Sequence, residues 1–173
     1  MTTIIVIIET ELGDIEAQLD AARAPGTTAN FLRYVDAGFY AGGRFHRTVT
    51  PDNQPNDQVR IEVIQAGIDP AHDPKKFPAI AMERTSATGV RHLDGALSMA
   101  RREVDSAQSD FFICIGDQPE LDFGGKRNPD GQGFAAFGRV TNGMDVVRSI
   151  QRAPREAQRL APPVRINAIR RVT

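Results

Sequence analysis

A chain of 173 residues is long enough for one domain with a full hydrophobic core and too short for two typical ones. Hydrophobic residues make up 40% and charged residues 25%, which is the ordinary balance of a soluble globular protein. A formal net charge of −1 excludes the bulk basic field that holds a nucleic-acid backbone, so Arg101-Arg102 and Arg170-Arg171 read as solvated surface.

The first predicted element is a buried strand over 3–9, carried by Ile4-Ile5-Val6-Ile7-Ile8. That run lacks the length, basic flank and cleavage site of a signal peptide. It therefore implies a cytoplasmic protein, or a periplasmic one if a leader has been removed. Leu12-Gly13-Asp14 predicts a tight turn. Ile15, Ala17 and Leu19 then alternate with polar residues, so a second strand closes a hairpin. Pro25-Gly26-Thr27 opens a helix whose Phe31, Leu32 and Val35 share one face and which stops at Gly38. Strand patterns follow at 44–49, 61–66, 95–100, 110–115 and 134–140. Asn142 is placed to cap a second helix, with Asp145 three residues on and an apolar stripe of Met144, Val147 and Ile150. A last strand covers 164–172. About eight strands with two isolated helices do not make a βαβ repeat. They predict a mainly β single domain over 1–173, an eight-stranded antiparallel closed barrel capped by two α-helices, which leaves no exposed sheet edge. Bulky inward residues (Phe31, Ile113, Phe137) fill the barrel and argue against one that holds a small ligand inside, as a lipocalin does. Three long loops at 50–60, 101–109 and 116–133 are left as candidate functional surface.

Several chemistries find no support. The single cysteine, Cys114, cannot form an intrachain disulfide, and within Phe111-Phe112-Ile113-Cys114-Ile115 it reads as a small buried hydrophobe. His46, His72 and His92 fit no zinc spacing. His46 is expected on the strand face opposite Arg47, as a satisfied core histidine. Asp122-Phe123-Gly124 copies a kinase magnesium motif without the glycine-rich loop and lysine that motif needs. The loop aspartates have no EF-hand spacing. No metal and no cofactor are expected, and no run of about 18 apolar residues suggests a membrane span.

Five segments carry the functional signal: Phe45-His46-Arg47, Ile64-Gln65-Ala66-Gly67, Gly95-Ala96-Leu97-Ser98-Met99-Ala100, Ser109-Asp110-Phe111-Phe112-Ile113-Cys114 and Phe134-Ala135-Ala136-Phe137-Gly138. Their order and spacing resemble the cyclophilin family, and Thr28-Ala29-Asn30-Phe31 is similar to that family's first helix. The resemblance runs from about Leu12 to Val172. It implies a peptidyl-prolyl cis–trans isomerase that assists protein folding, with proline-containing peptides and unfolded proteins as partners; for the oligomeric state, which the sequence leaves open, a monomer is the default expectation. It also implies roles. Arg47 is the catalytic arginine, and Gln65 bonds the substrate backbone and orients Arg47. Phe45, Val63, Phe112, Leu121 and Phe134 are substrate-binding, and Ala100 and Arg101 receive the residue before proline. The alternative is a peptide-binding chaperone or scaffold of the same fold with little turnover.

The chemistry explains such a residue set. Rotation about an X-Pro amide meets a barrier of about 18–20 kcal/mol because nitrogen donates its lone pair to the carbonyl. No bond breaks, so neither nucleophile nor metal is needed. The protein must hold the twisted amide better than either planar isomer. Twisting exposes the nitrogen lone pair, to which a guanidinium can donate. Raising the rate about a thousandfold takes roughly 4 kcal/mol.

Departures from the family pattern are informative. Phe134 stands where several members carry histidine, Asp110 replaces a common glutamine, and Arg101 a common asparagine. Glu62 falls where an aromatic is frequent. Glu120 stands where cyclosporin-sensitive members carry tryptophan, which predicts weak cyclosporin A binding. The 50–60 insertion and the long Phe123–Gly133 loop look more like bacterial members.

Overall fold

The computed structural model describes residues 3–172; residues 1, 2 and 173 of the expected domain lie outside the described residues. Nine strands form one sheet. They are β1 (Ile4–Thr10), β2 (Gly13–Leu19), β3 (Arg44–Val49), β4 (Val63–Gly67), β5 (Ala96–Met99), β6 (Phe111–Cys114), β7 (Ala136–Asn142), β8 (Arg155–Glu156) and β9 (Arg159–Arg171). The sheet order is β1-β2-β7-β5-β6-β4-β3-β9, every pairing is antiparallel, and β1 also pairs with β9. The eight long strands thus close on themselves, and β8 is a short hairpin partner of β9. Closure removes the unpaired edges that would invite aggregation.

Alternation along the strands sorts the side chains. Val6, Ile8, Ile15, Ala17, Ile64, Leu97, Phe111, Ile113 and Phe137 point inward and are buried. The interior centres on Phe31, whose ring lies 5.3–5.4 Å from those of Tyr40, Phe111 and Phe137. Truncating such a ring to alanine typically costs about 3–5 kcal/mol. Two helices close over this core: α1 (Pro25–Asp36) through Phe31, Leu32 and Val35, and a later one (Met144–Gln151) through Val147 and Ile150. A four-residue helix, Thr85–Thr88, falls between them and was not foreseen. In chain order the two are α2 (Thr85–Thr88) and α3 (Met144–Gln151).

Several local expectations need correction. The first turn is made by Glu11-Leu12, and Gly13 already pairs with Thr10. Gly143, at φ 104, caps α3 and no side chain does, so Asn142 is not the cap. Nor does α1 cap itself: the Glu83 carboxylate accepts from the Gly26 and Thr27 backbone N–H groups at 3.2 and 2.6 Å. A carboxylate at a helix start satisfies orphan donors and complements the helix dipole. β9 begins at Arg159, five residues before the predicted strand. Pro162-Pro163 hid that start, because two residues without an N–H read as a strand end.

Candidate active site

A β-bulge sets the geometry of the outer face. In β3, Phe45 pairs with Ala66 but Arg47 pairs with Gln65, so His46 is an extra residue. The same skip occurs against β9, where Phe45 pairs with Val164 and Arg47 with Arg159. Strict alternation from the inward Phe45 would aim Arg47 into the barrel. The bulge turns it outward instead, which is what bulges do beside functional sites. His46 therefore does not oppose Arg47. It is half-exposed, and its Nε2 lies 3.0 Å from Asp110 Oδ2, so the expectation of a core histidine is corrected.

Across the sheet, Arg47 pairs with Gln65, Gln65 with Phe112, and Phe112 with Ser98. These four side chains form one row over β3, β4, β6 and β5. At the usual strand spacing of about 4.8 Å the row is about 14 Å long, enough for a few residues of extended peptide. Arg47 is fastened at two points. Its Nε donates to Gln158 Oε1 at 2.9 Å and its Nη1 to Gln65 Oε1 at 3.0 Å. Gln65 Nε2 in turn donates to Asp110 Oδ2 at 3.0 Å, so Asp110 fixes which way round the Gln65 amide sits. Of the five guanidinium donors, three remain uncommitted among the described residues. Burial, and next the nearby Arg127, hold Arg47 below the usual arginine range, with Asp57 acting the other way. Arginine nonetheless stays protonated at neutral pH.

Beside Arg47 a cleft of about 440 Å³ opens, within the range of small-ligand sites. Ile61, Val63, Phe112 and Leu121 form its apolar lining, and Phe134 is its wall, edge-on to Phe112 at 5.6 Å and 88°. Leu121 ends a short 3-10 turn, and its carbonyl accepts from the Phe134 N–H at 2.9 Å. That bond pinches the 122–133 loop shut. It requires Gly133, where any Cβ would stand 2.6 Å from the Asp122 backbone, at a φ of 69. The Arg101 guanidinium covers Phe134 at 4.9 Å and bonds Gly133 O and Asp130, so its charge is spent on holding the loop. The backbone N–H and C=O of Arg101 make no hydrogen bond among the described residues and can pair with an extended chain.

Beneath Phe112, the His92 ring stacks at 6.0 Å and 10°. Its Nδ1 lies 2.7 Å from Asp122 Oδ1 and its Nε2 2.7 Å from Ser98 Oγ. The carboxylate only accepts, so Nδ1 carries the proton. Burial pushes Asp122 up, but its bonds from the His92 ring and backbone outweigh this and hold it below the usual range. The trio has the composition of a hydrolytic triad, yet Ser98 is fully buried, so no substrate carbonyl can reach its hydroxyl. It serves as a rigid support for Phe112.

Of the residues singled out in the sequence, Arg47, Val63, Gln65, Ala100, Arg101, Phe112, Leu121 and Phe134 converge on the cleft. Phe45 does not. It is fully buried in the barrel interior, its ring 6.1 Å from Phe111, so its expected substrate contact is corrected. Glu62 also faces away, accepting from Gln151 Nε2 at 3.1 Å, and Ile61 takes the place in the cleft. Gln158, Ile61, Arg127, Asn128 and Pro129 escaped the sequence reading. Gln158 sits in the β8–β9 turn, over 110 positions from Arg47, and only the fold brings them together. Cys114 is buried behind the cleft, where burial pushes its thiol well up, so it is inert.

A filled barrel that carries a clamped guanidinium beside an apolar slot on its outer face is a peptide-handling barrel, built to receive a chain rather than to enclose a ligand. The chain belongs to the cyclophilin-type peptidyl-prolyl cis–trans isomerase family, described as "Cyclophilin type peptidyl-prolyl cis-trans isomerase/CLD", whose model matches residues 5–171. Among its relatives is a peptidyl-prolyl cis-trans isomerase A of Dickeya dadantii, 35% identical over 152 residues, covering 87% of this chain and 73% of that one. A crystal structure of a cyclophilin-type peptidyl-prolyl cis-trans isomerase from Cryptosporidium parvum superposes with a TM-score of 0.79 at 21% identity, over 99% of both chains. The same protein crystallised in the presence of the dipeptide Ala-Pro gives a TM-score of 0.75 at 22% identity, over 95% of this chain and 96% of that one.

Proposed function

We propose that the protein accelerates cis–trans rotation about X-Pro bonds, acting as a monomer on extended, proline-containing segments of peptides and unfolded proteins. The proline ring enters the slot over Phe112, between Val63, Leu121 and Phe134. The residue before proline pairs with the backbone of Arg101, next to Ala100. Arg47 donates to the proline nitrogen as it pyramidalises, an interaction that exists only in the twisted state and so lowers the barrier. Gln65 and Gln158 hold the guanidinium in position. Charge-assisted hydrogen bonds contribute about 1.5–3 kcal/mol each. That bond to the proline nitrogen, with a second from another free guanidinium N–H to the substrate carbonyl, covers the roughly 4 kcal/mol that a thousandfold acceleration needs.

The observation that carries this reading is the Arg47 guanidinium, tied at two points with three donors left over, beside a cleft whose apolar part is formed by Ile61, Val63, Phe112 and Leu121. NMR exchange between the two forms of an Ala-Pro peptide tests it. The protein should speed exchange, and folded Arg47→Ala should not. Peptide shifts without faster exchange from either protein would make this a binding module instead.

Cyclosporin A should bind weakly. Glu120 stands outside the cleft lining, with its carboxylate on the Lys126 N–H at 3.2 Å, and no indole is available to pack on the ligand. Nanomolar inhibition of the exchange rate would overturn this.

A further inference from the structure

Beside Arg47 and Arg101 the cleft holds a third arginine, whose side chain the isomerisation chemistry does not use. Arg127 lies on the long loop between Leu121 and Phe134 and lines the same cleft as Arg47. It is not a loose surface cation. Its side chain is 12% exposed, and its Nη1 donates to Gln54 Oε1 at 2.7 Å and to Val59 O at 2.8 Å. Gln54 is itself 1% exposed and fully committed. Its Nε2 donates to Thr50 O and Ile61 O, and its Oε1 also accepts from the Ile61 N–H. The 50–60 insertion thus folds around a buried amide whose remaining acceptor capacity fixes Arg127. Nε and Nη2 of Arg127 make no hydrogen bond among the described residues.

The charge balance of the cleft is positive. Arg101 is neutralised by Asp130 at 2.9 Å and is packed on Phe134. Arg127 faces Asp57 at 3.4 Å, but that carboxylate is 43% exposed and screened by solvent. Arg47 has no carboxylate partner among the described residues and lies in the field of Arg127. An X-Pro amide carries no charge, so the surplus must act on neighbouring side chains of the substrate. Position selects which ones. Arg101 and Phe134 mark the β5 end of the cleft, where the residue before proline binds. Arg127 sits with Ile61 at the β4 end, with β6 between the two strands.

We propose that Arg127 is a specificity-determining residue that selects substrates with an acidic side chain one or two positions after the proline. This rests on the isomerase reading above and names its substrate class. An Asp or Glu there meets two unsatisfied guanidinium nitrogens and relieves the repulsion between Arg47 and Arg127.

The test uses three peptides, Ala-Ala-Pro-Glu-Ala, Ala-Ala-Pro-Gln-Ala and Ala-Ala-Pro-Lys-Ala, with exchange measured by NMR. The wild type should show kcat/KM falling in that order, by about fivefold from Glu to Gln and again to Lys, in keeping with a partly buried ion pair. Arg127→Gln should bring the ratios, each taken to the Gln peptide on the same protein, to near one, and Arg127→Glu should invert them. High salt should shrink the wild-type ratios, an arm that needs no variant. Equal rates on all three peptides, or a ranking that survives Arg127→Gln, overturn the proposal. Absence of turnover on every peptide would sink the isomerase reading instead. The peptides' binding constants from chemical-shift titration would then still rank acidic over basic, or refute the selection.

Discussion

Two arginine-lined depressions on the outer surface differ in kind. The cleft beside Arg47 measures about 440 Å³. On another face a slightly larger groove of about 500 Å³ runs between the start of α1 and the segment before β5, lined among others by Leu19, Arg23, Arg91, Leu93 and Arg139. Size therefore does not mark the site. In the groove, the Arg91 and Arg139 side chains make no hydrogen bond or ion pair among the described residues, and the mostly exposed Arg23 guanidinium meets Asp20 at 2.7 Å and, more loosely, Gly89 O at 3.4 Å. In the cleft every guanidinium is tied to a named partner. A free arginine must surrender about 2 kcal/mol of rotamer entropy before it can act. Arg47 has surrendered it on folding, and that difference separates a catalytic geometry from a charged surface.

The sharpest way to break the comparison is to loosen Arg47 while keeping its charge. Arg47→Lys retains a cation but loses the planar fork that reaches Gln158, Gln65 and the substrate together. It should lose about a hundredfold in kcat/KM with an unchanged circular-dichroism spectrum, roughly 2.7 kcal/mol of transition-state stabilisation. Activity near wild type would mean that charge alone suffices and that the clamp is incidental.

The next step removes the clamp and leaves the arginine. Gln158 accepts from Arg47 Nε, donates through Nε2 to Asn53 O at 3.1 Å, and accepts the Thr48 N–H on its carbonyl at 2.8 Å. It is a positioning residue. Gln158→Ala should lower kcat about tenfold and leave KM nearly unchanged, since the slot that binds the proline ring is untouched. A matching rise in KM would point to a collapsed loop rather than a misaimed guanidinium.

The sequence revealed these parts unevenly, for physical reasons. The barrel was legible because alternation fixes which face each residue takes, and Ile15, Ala17 and Leu19 of the predicted second strand are all buried in the core. Alternation failed at His46, where the bulge adds a residue that no hydrophobic pattern marks. His46 was misplaced as a result, and Phe45, assigned to the substrate through the resemblance, lies on the inner face, although Arg47 was found through the family motif. Gln158, Asn53 and Gln54 were invisible. Polar residues in turns and insertions carry no periodicity, and their worth depends on partners that only the closed fold supplies.

A smaller effect follows from the far end of the same network. Burial pushes the Asp110 carboxyl up, but hydrogen bonds from His46 and Gln65 outweigh it and hold the group below the usual carboxylate range. A folded value below the unfolded one of about 3.9 stabilises the protein above that pH. The contribution fades as pH falls below about 5 and is lost as pH drops through Asp110's own lower value. Asp110 is about a third exposed, so the effect should be on the order of 1 kcal/mol. Urea midpoints of wild type and Asp110→Asn should therefore differ at pH 7 and draw together as pH falls below about 4, where the unfolded carboxyl takes up its proton. A constant gap would assign the loss to packing instead of charge.

The smallest expected effect tests the other half of the comparison. Arg139 stands mid-sheet, pairing with Gln18 of β2 and Ala96 of β5, with its side chain exposed over the groove. If fastening is what makes an arginine functional, removing an unfastened one should cost little. Arg139→Ala should change stability by less than about 0.5 kcal/mol, as surface substitutions away from special features do. It should also leave isomerisation of the Ala-Pro peptide within error of wild type. Ala96 packs against the same outer cluster as Phe112, so a route from groove to cleft exists through the sheet. A several-fold loss of activity in Arg139→Ala would show that the groove's charge is felt across β5 and β6. Arrangement within the cleft would then be only part of what positions the reacting groups.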